Sequence, residues 1–318
     1  MSASRREFLL GLAASGVIAK FPASGYANPL PGALYPPVDL SHFDKPIHHG
    51  DANIRIGYAS ITWSGHDIQA IEDISSVGYP GIQLRANALK EFPDPRALRD
   101  LLATHKLAFV ALSSGTAPLD PALRQSTIET HVQNARYLHQ AGGKYLQVIG
   151  AFTKSHIYTA SEYQYEGQLL TEIAKRVADF GIQTGFHNHM GSIGQTPEAL
   201  DAIMNAADPR YVKLELDTGH YVQGGGDPAA AIHKYDKRLL FLHLKDVRDA
   251  STKSGYEFTE LGNGRVDFSA IFTALYAIHF RGWGIVELDG ERPGSAKTPK
   301  ESAAISKSYL EKKLGVRV

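Results

Sequence analysis

From about residue 54 onward, apolar residues recur in two alternating rhythms. Short runs rich in Val, Ile, Leu, Phe and Tyr predict strands at 54–60, 81–85, 107–113, 145–150, 182–189, 212–217, 239–245 and 283–288. Between them, apolar residues at three- and four-residue spacing predict helices, as in Ile68, Ile71, Ile74 and Val77, or Leu169, Ile173, Val177 and Phe180. Several helix openings share one device. Asp94-Pro95, Asp120-Pro121, Thr196-Pro197, Asp227-Pro228 and Thr298-Pro299 each put a side-chain oxygen at the N-cap and proline at the first helical position. The oxygen accepts an otherwise orphaned N–H, and proline has no N–H to leave unsatisfied there. Eight β-then-α units in about 270 residues predict a parallel barrel or a doubly wound sheet. The strands are too apolar for a sheet with one solvated face. Ser60-Ile61-Thr62-Trp63 after the first strand is no glycine-rich phosphate cradle, and Gly224-Gly225-Gly226 reads as a flexible loop before a cap. The fold expected is therefore α/β, a single-domain (β/α)8 TIM barrel over residues 51–318.

What precedes the barrel has a different pattern. Ser4-Arg5-Arg6-Glu7-Phe8-Leu9-Leu10 leads into an apolar run to Ala19 and a small-residue region ending near Ala27. Twin arginines before a short apolar stretch resemble a bacterial twin-arginine export signal over 1–27, and the run is too short to span a bilayer comfortably. Residues 28–50, with five prolines and no period, read as an extended N-terminal arm in which His42, His48 and His49 are solvated. The expectation is a soluble periplasmic or secreted protein with no membrane association after signal removal.

Charge and cysteine usage narrow the chemistry. Lys+Arg and Asp+Glu both number 33, so the basic excess of a nucleic-acid binder is missing and no nucleic-acid partner is expected. Cysteine is absent, which excludes disulfides, thiolate catalysis and thiolate metal sites. Any metal must be held by His, Asp or Glu.

In such a barrel the active site lies at the C-terminal ends of the strands. The predicted fifth strand ends His187-Asn188-His189, and the sixth ends Glu215-Leu216-Asp217-Thr218-Gly219-His220. The seventh ends Phe241-Leu242-His243-Leu244-Lys245-Asp246, and the eighth ends Val286-Glu287-Leu288-Asp289. Consecutive strands thus deliver imidazoles and carboxylates to one rim, where burying them unpaired would cost several kcal/mol each. A mixed N/O cluster suits one divalent ion: Mn²⁺, Co²⁺, Mg²⁺, Fe²⁺ or Zn²⁺. The competing reading is four separate accommodations, each His on a backbone carbonyl and each carboxylate on a lysine. Period-2 alternation puts His187 and His189 on one face, so either could be the metal ligand.

With these segments the chain resembles the xylose isomerase-like barrels, the sugar isomerase/epimerase superfamily, and most closely its inosose dehydratase branch. The resemblance rests on Ile56-Gly57…Trp63, Gly78-Tyr79-Pro80-Gly81-Ile82, Phe186-His187-Asn188-His189-Met190-Gly191 and Leu216-Asp217-Thr218-Gly219-His220. It continues through His243-Leu244-Lys245-Asp246-Val247, Gly262-Asn263-Gly264…Val266-Asp267-Phe268 and Gly282-Trp283…Glu287. It implies a metal ligand at each of the fifth to eighth strand ends, usually Glu, Asp, His and Glu. Asp217, His243 and Glu287 match the last three positions, and the first falls on His187, an imidazole where glutamate is usual. In isomerases and epimerases of the superfamily that first glutamate often doubles as one of two bases, so a symmetric two-glutamate mechanism is weakened here. The resemblance further implies substrate or acid–base roles for His189 and His220, and Lys245 shares the face of His243.

The function expected is metal-dependent proton abstraction next to the carbonyl of a keto-sugar or polyol. Reprotonation of the resulting enediolate gives isomerisation or epimerisation; loss of a β-substituent gives dehydration or cleavage. His189, His220, Lys245 and the metal ligand Glu287 are the catalytic candidates, imidazole having a pKa near working pH. Trp63, Arg85, Gln147 and Arg248 are weaker candidates for substrate binding, and Arg248–Gly264 reads as a long loop able to form a lid. Two other classes remain open, a non-catalytic sugar-binding barrel and an apurinic endonuclease-like phosphodiesterase. Barrels of this group often pair, which leaves a homodimer possible.

Overall fold

A computed structural model describes residues 52–152, 157–290 and 296–318; the expected export signal at 1–27 and the arm at 28–50 lie outside the described residues. The barrel strands are Asn53–Ala59 (β1), Gly81–Arg85 (β2), Ala108–Ala117 (β3), Tyr145–Gly150 (β4), Gln183–His187 (β5), Val212–Asp217 (β6), Leu239–Leu244 (β7) and Arg281–Val286 (β10). They close in the order β1-β10-β7-β6-β5-β4-β3-β2, and every neighbouring pair is parallel. This is a (β/α)8 barrel. Each predicted strand is present, with ends shifted by a few residues. The fifth stops at His187 rather than His189, so His189 sits in the loop above the barrel.

All five predicted cap dipeptides are used. Asp94, Thr196, Asp227 and Thr298 accept backbone N–H bonds at the openings of the helices Pro95–Thr104, Pro197–Ala206, Pro228–Lys234 and Pro299–Lys312. Asp120 caps a single 3₁₀ turn before the helix Arg124–Gln140. The helices bury one stripe each against the outside of the barrel, for example Leu169, Leu170, Ile173, Ala174 and Val177 of Ala160–Ala178. Among the described residues no helix is long and apolar enough to cross a membrane.

The expected loop after the seventh strand is instead a two-stranded antiparallel hairpin, Asp246–Asp249 (β8) with Tyr256–Thr259 (β9). Its base is fixed by Asp246. One carboxylate oxygen accepts from Val247 N (2.9 Å) and Val266 N (3.1 Å), the other from Gly262 N (2.9 Å) and Gly264 N (2.8 Å). Gly264 is required for that approach, since a Cβ there would fall 2.2 Å from the carboxylate. Phe258 of the hairpin thereby lies over the Lys245 ammonium, 4.4 Å from ring centroid to Nζ.

Candidate functional site

Period-2 alternation turns Glu215 and Asp217 of β6 inward together, and likewise Phe241 and His243 of β7. His187 at the end of β5 and Glu287 just beyond β10 join them, and His187, Glu215, Asp217 and His243 are all buried. Around His243 Nδ1 lie Glu215 Oε1 at 3.1 Å, Glu287 Oε2 at 3.3 Å and Asp217 Oδ2 at 3.5 Å. His187 Nδ1 is 3.1 Å from the same Glu215 oxygen. Despite this crowding, His187 Nδ1, both Glu215 oxygens, Asp217 Oδ2 and His243 Nδ1 have no hydrogen-bond partner. Buried polar atoms are rarely left so. His187, Asp217 and His243 each offer a donor atom within 4.8 Å of the other two, a spacing that could hold a metal ion.

Neutral groups hold these side chains in place. His243 Nε2 donates to Gln83 Oε1 (2.9 Å), and Gln83 Nε2 in turn donates to Gln147 Oε1 (2.5 Å). Asn188 bonds the backbone of Asp217 twice, accepting from its N–H (2.9 Å) and donating to its carbonyl (3.1 Å), which locks the ends of β5 and β6 together. Asp217 Oδ1 accepts from His220 N at 2.7 Å, leaving its other oxygen for the cluster. Gln83 and Asn188 were not singled out from sequence; Gln83 lies two residues before Arg85 on the same strand, an alternation that could have found it. Glu215 was within reach, being two residues before Asp217 on the same strand face.

The charges follow from burial and neighbours. Burial drives the His187 ring down to about 3, helped by His243, so it is a neutral imidazole with a free lone pair. Burial also pushes the Glu215 carboxyl up to about 8 against the pull of His243. Burial alone would lower His243, but Glu215 and Glu287 outweigh it and hold this ring well above the usual histidine range. Glu287 is held well below the usual carboxylate range, because His243 and Lys245 outweigh its burial. Lys245, fully buried, donates to Glu287 Oε1 (3.0 Å) and Asp289 Oδ1 (2.6 Å). These carboxylates keep it cationic, above the usual lysine range, against its burial.

A cavity of about 400 Å³ opens over the cluster at the C-terminal mouth, lined among others by Ser60, Gln83, Arg85, Gln147, His187, His189, Glu287 and Asp289. Of the residues singled out from sequence, Arg85, Gln147, His187, His189 and Glu287 therefore meet there. Trp63 does not wall it. Its indole N–H donates to Asp73 Oδ2 (2.9 Å) and its ring packs edge-on against Tyr58, so Ile61 takes the wall position. Arg248 sits on the hairpin, paired with Glu257, and is half exposed away from the cavity. His220 lies behind His189, ring centroids 3.8 Å apart, and faces donors on both nitrogens: Met190 N at 3.2 Å and Lys245 Nζ at 3.3 Å. Burial and the Lys245 charge hold it well below the usual range, so it is a poor proton carrier. His189 differs. Its Nδ1–H donates to Met190 O (2.6 Å), which leaves Nε2 bare. Burial, then His187 and Lys245, lower it to about 4.

A second hollow of about 480 Å³, on the outer face between Arg124 and Pro209, holds no comparable cluster. The description "xylose isomerase-like TIM barrel" matches residues 71–312. The chain is 29% identical to the inosose dehydratase of Lacticaseibacillus casei over 299 residues, 83% of this chain and 98% of that protein. It is 27% identical to the rhizopine catabolism protein MocC of Rhizobium meliloti, covering 74% and 82%. Among solved structures, the IOLI protein with a binding zinc atom superposes with a TM-score of 0.70 at 20% identity, covering 82% of this chain and 98% of that one. The chain belongs to the xylose isomerase-like TIM barrel family.

Proposed function

We propose that this chain is a divalent-metal-dependent enzyme that removes a proton next to the carbonyl of an inosose or related keto-polyol and then expels a β-hydroxyl as water. The observation that carries the reading is the set of unpartnered donor atoms on His187, Asp217 and His243, with Glu287 beside them, under a cavity of sugar size. A neutral imidazole, two carboxylates and a second imidazole fit a hard or borderline divalent ion. His187, Asp217, His243 and Glu287 would hold it, and the ion would supply Lewis-acid stabilisation of the charge that develops on the carbonyl oxygen.

The chain's own residues do the rest. His189 is the base: its Nδ1–H is committed to Met190 O, so the ring, which lines the cavity, keeps a free lone pair on Nε2 at neutral pH. His220 packs against it and keeps the ring from turning. Lys245 ties Glu287 and Asp289 to one another and so sets the wall facing the substrate. Arg85 and Gln147 line the mouth and are placed to bind hydroxyls. Support for elimination over reprotonation comes from the inosose dehydratases, which align along 83% of this chain, and from His189 being, among the described residues, the one cavity-lining imidazole outside the proposed ligand set, which gives no symmetric pair of bases. The twin arginines support export to the periplasm, and N-terminal sequencing of the exported protein is expected to read from near Ala27.

The test is incubation of protein loaded with Mn²⁺ or Zn²⁺ with an inosose in D₂O, followed by NMR. Loss of water is expected. His189→Ala is expected to lose about 10²–10⁴-fold in turnover while still binding the metal. Deuterium uptake with no dehydration assigns an isomerase or epimerase instead. Binding with neither exchange nor dehydration across a panel of keto-polyols overturns the enzyme reading.

A further inference from the structure

Glu215 has no part in the ligand set above, yet it lies in contact with it. It is fully buried, and neither of its carboxylate oxygens has a hydrogen-bond partner. Its Oε1 lies 3.1 Å from His187 Nδ1 and 3.1 Å from His243 Nδ1, outside hydrogen-bond geometry in both cases. Donors bound to one small divalent ion at about 2.1 Å are about 3.0 Å apart at right angles and about 3.4 Å apart at the tetrahedral angle. The spacings among Glu215 Oε1, Glu287 Oε2, Asp217 Oδ2 and the two Nδ1 atoms are those of neighbouring ligands in one shell.

The strand register gives the reason for this placement. His187 and Glu215 are direct partners across β5 and β6. The fifth strand ends in a neutral imidazole, and the adjacent strand supplies a carboxylate beside it. Room for that side chain comes from Gly185, two residues before His187; a Cβ there would crowd the Glu215 Cβ at 3.1 Å.

We propose that Glu215 is a fifth protein ligand of the metal centre, its Oε1 completing the shell between His187 and His243. The inference rests on the metal-dependent reading above. A purely structural Glu215 would leave the affinity of the folded protein for the ion unchanged, whereas a ligand sets that affinity and the stability that the ion adds.

The experiment is titration of metal-free wild type and Glu215→Gln with Mn²⁺ and, separately, Zn²⁺ by calorimetry, with thermal melting of both metal-free proteins. Wild type is expected to bind one ion per chain. The variant is expected to bind at least tenfold more weakly and to lose most of the metal-induced rise in Tm. Glu215→Asp keeps the charge but withdraws it by one methylene; it is expected to bind more weakly too, and it serves if the Gln variant does not fold. Unchanged affinity in either folded variant overturns the ligand role, as does a metal-induced rise in Tm equal to that of wild type. Wild type that binds neither ion overturns the metal-dependent reading and this inference together.

Discussion

Two buried carboxylates, Glu215 and Asp246, stand on neighbouring parts of the barrel mouth and meet burial in opposite ways. Asp246 accepts four backbone N–H groups, from Val247, Gly262, Gly264 and Val266, and gathers the segment after the hairpin around itself. Glu215 accepts none and faces two imidazoles and two further carboxylates. Charge taken out of water costs several kcal/mol unless something nearby compensates it. For Asp246 the protein itself compensates, so the residue belongs to the architecture. For Glu215 the protein supplies no such partners, and the proposed ion would provide the compensation. The contrast is between an acid held by backbone donors and one placed among other metal-binding side chains.

The largest expected effect comes from breaking the satisfied member. Asp246→Ala leaves four N–H groups without their acceptor and should cost about 3–5 kcal/mol of stability by urea denaturation. Amide exchange in 246–268 should speed up. A loss under 1 kcal/mol would erase the distinction between the two acids.

A smaller effect tests whether full satisfaction marks structural groups elsewhere. His131 is buried as a neutral ring, its Nδ1 accepting from Ser114 Oγ (2.7 Å) and its Nε2–H donating to Thr116 O (3.3 Å). Burial lowers its pKa to about 4 from 6.5. Between these values the unfolded chain binds more protons than the folded one, so stability rises with pH there. The contribution is fully present above about pH 6.5 and is lost as pH falls toward 4, by about 3 kcal/mol at the limit. His131→Gln should flatten that acid limb in melting curves taken from pH 7 to pH 4; an unchanged slope would remove His131 as its source.

The smallest effect sharpens the other side. Gln83→Ala removes the hydrogen bond that orients His243 without touching the cluster's donor atoms. Metal affinity should fall about 10–100-fold, the usual range for a group supporting a ligand. Stability of the metal-free protein should change by about 1 kcal/mol or less.

The pattern of the chain made the barrel readable because two periodicities and five Asp-Pro or Thr-Pro openings agree, and those openings all cap as expected. Asp217, His243 and Glu287 stood out because ionisable side chains at apolar strand ends are costly without a purpose. His189 stood out as well, but its place in a loop two residues beyond β5 and its bond to Met190 O, which decides which nitrogen is free, are set by tertiary structure. The hairpin was read as a loop because its strands have four residues each around a Ser-Thr-Lys-Ser-Gly turn, too short for periodicity to register. Trp63 and Arg248 stand near strand ends in sequence but turn toward Asp73 and Glu257, partners that spacing along the chain does not reveal.

The central claim is that the unpartnered atoms of β5, β6 and β7, with Glu287, surround one ion. Crystals grown with Mn²⁺ and measured for anomalous scattering test this most directly. The expected result is a single strong peak within about 2.3 Å of donor atoms on His187, Glu215, Asp217, His243 and Glu287. A peak elsewhere, or none at saturating Mn²⁺, would contradict it.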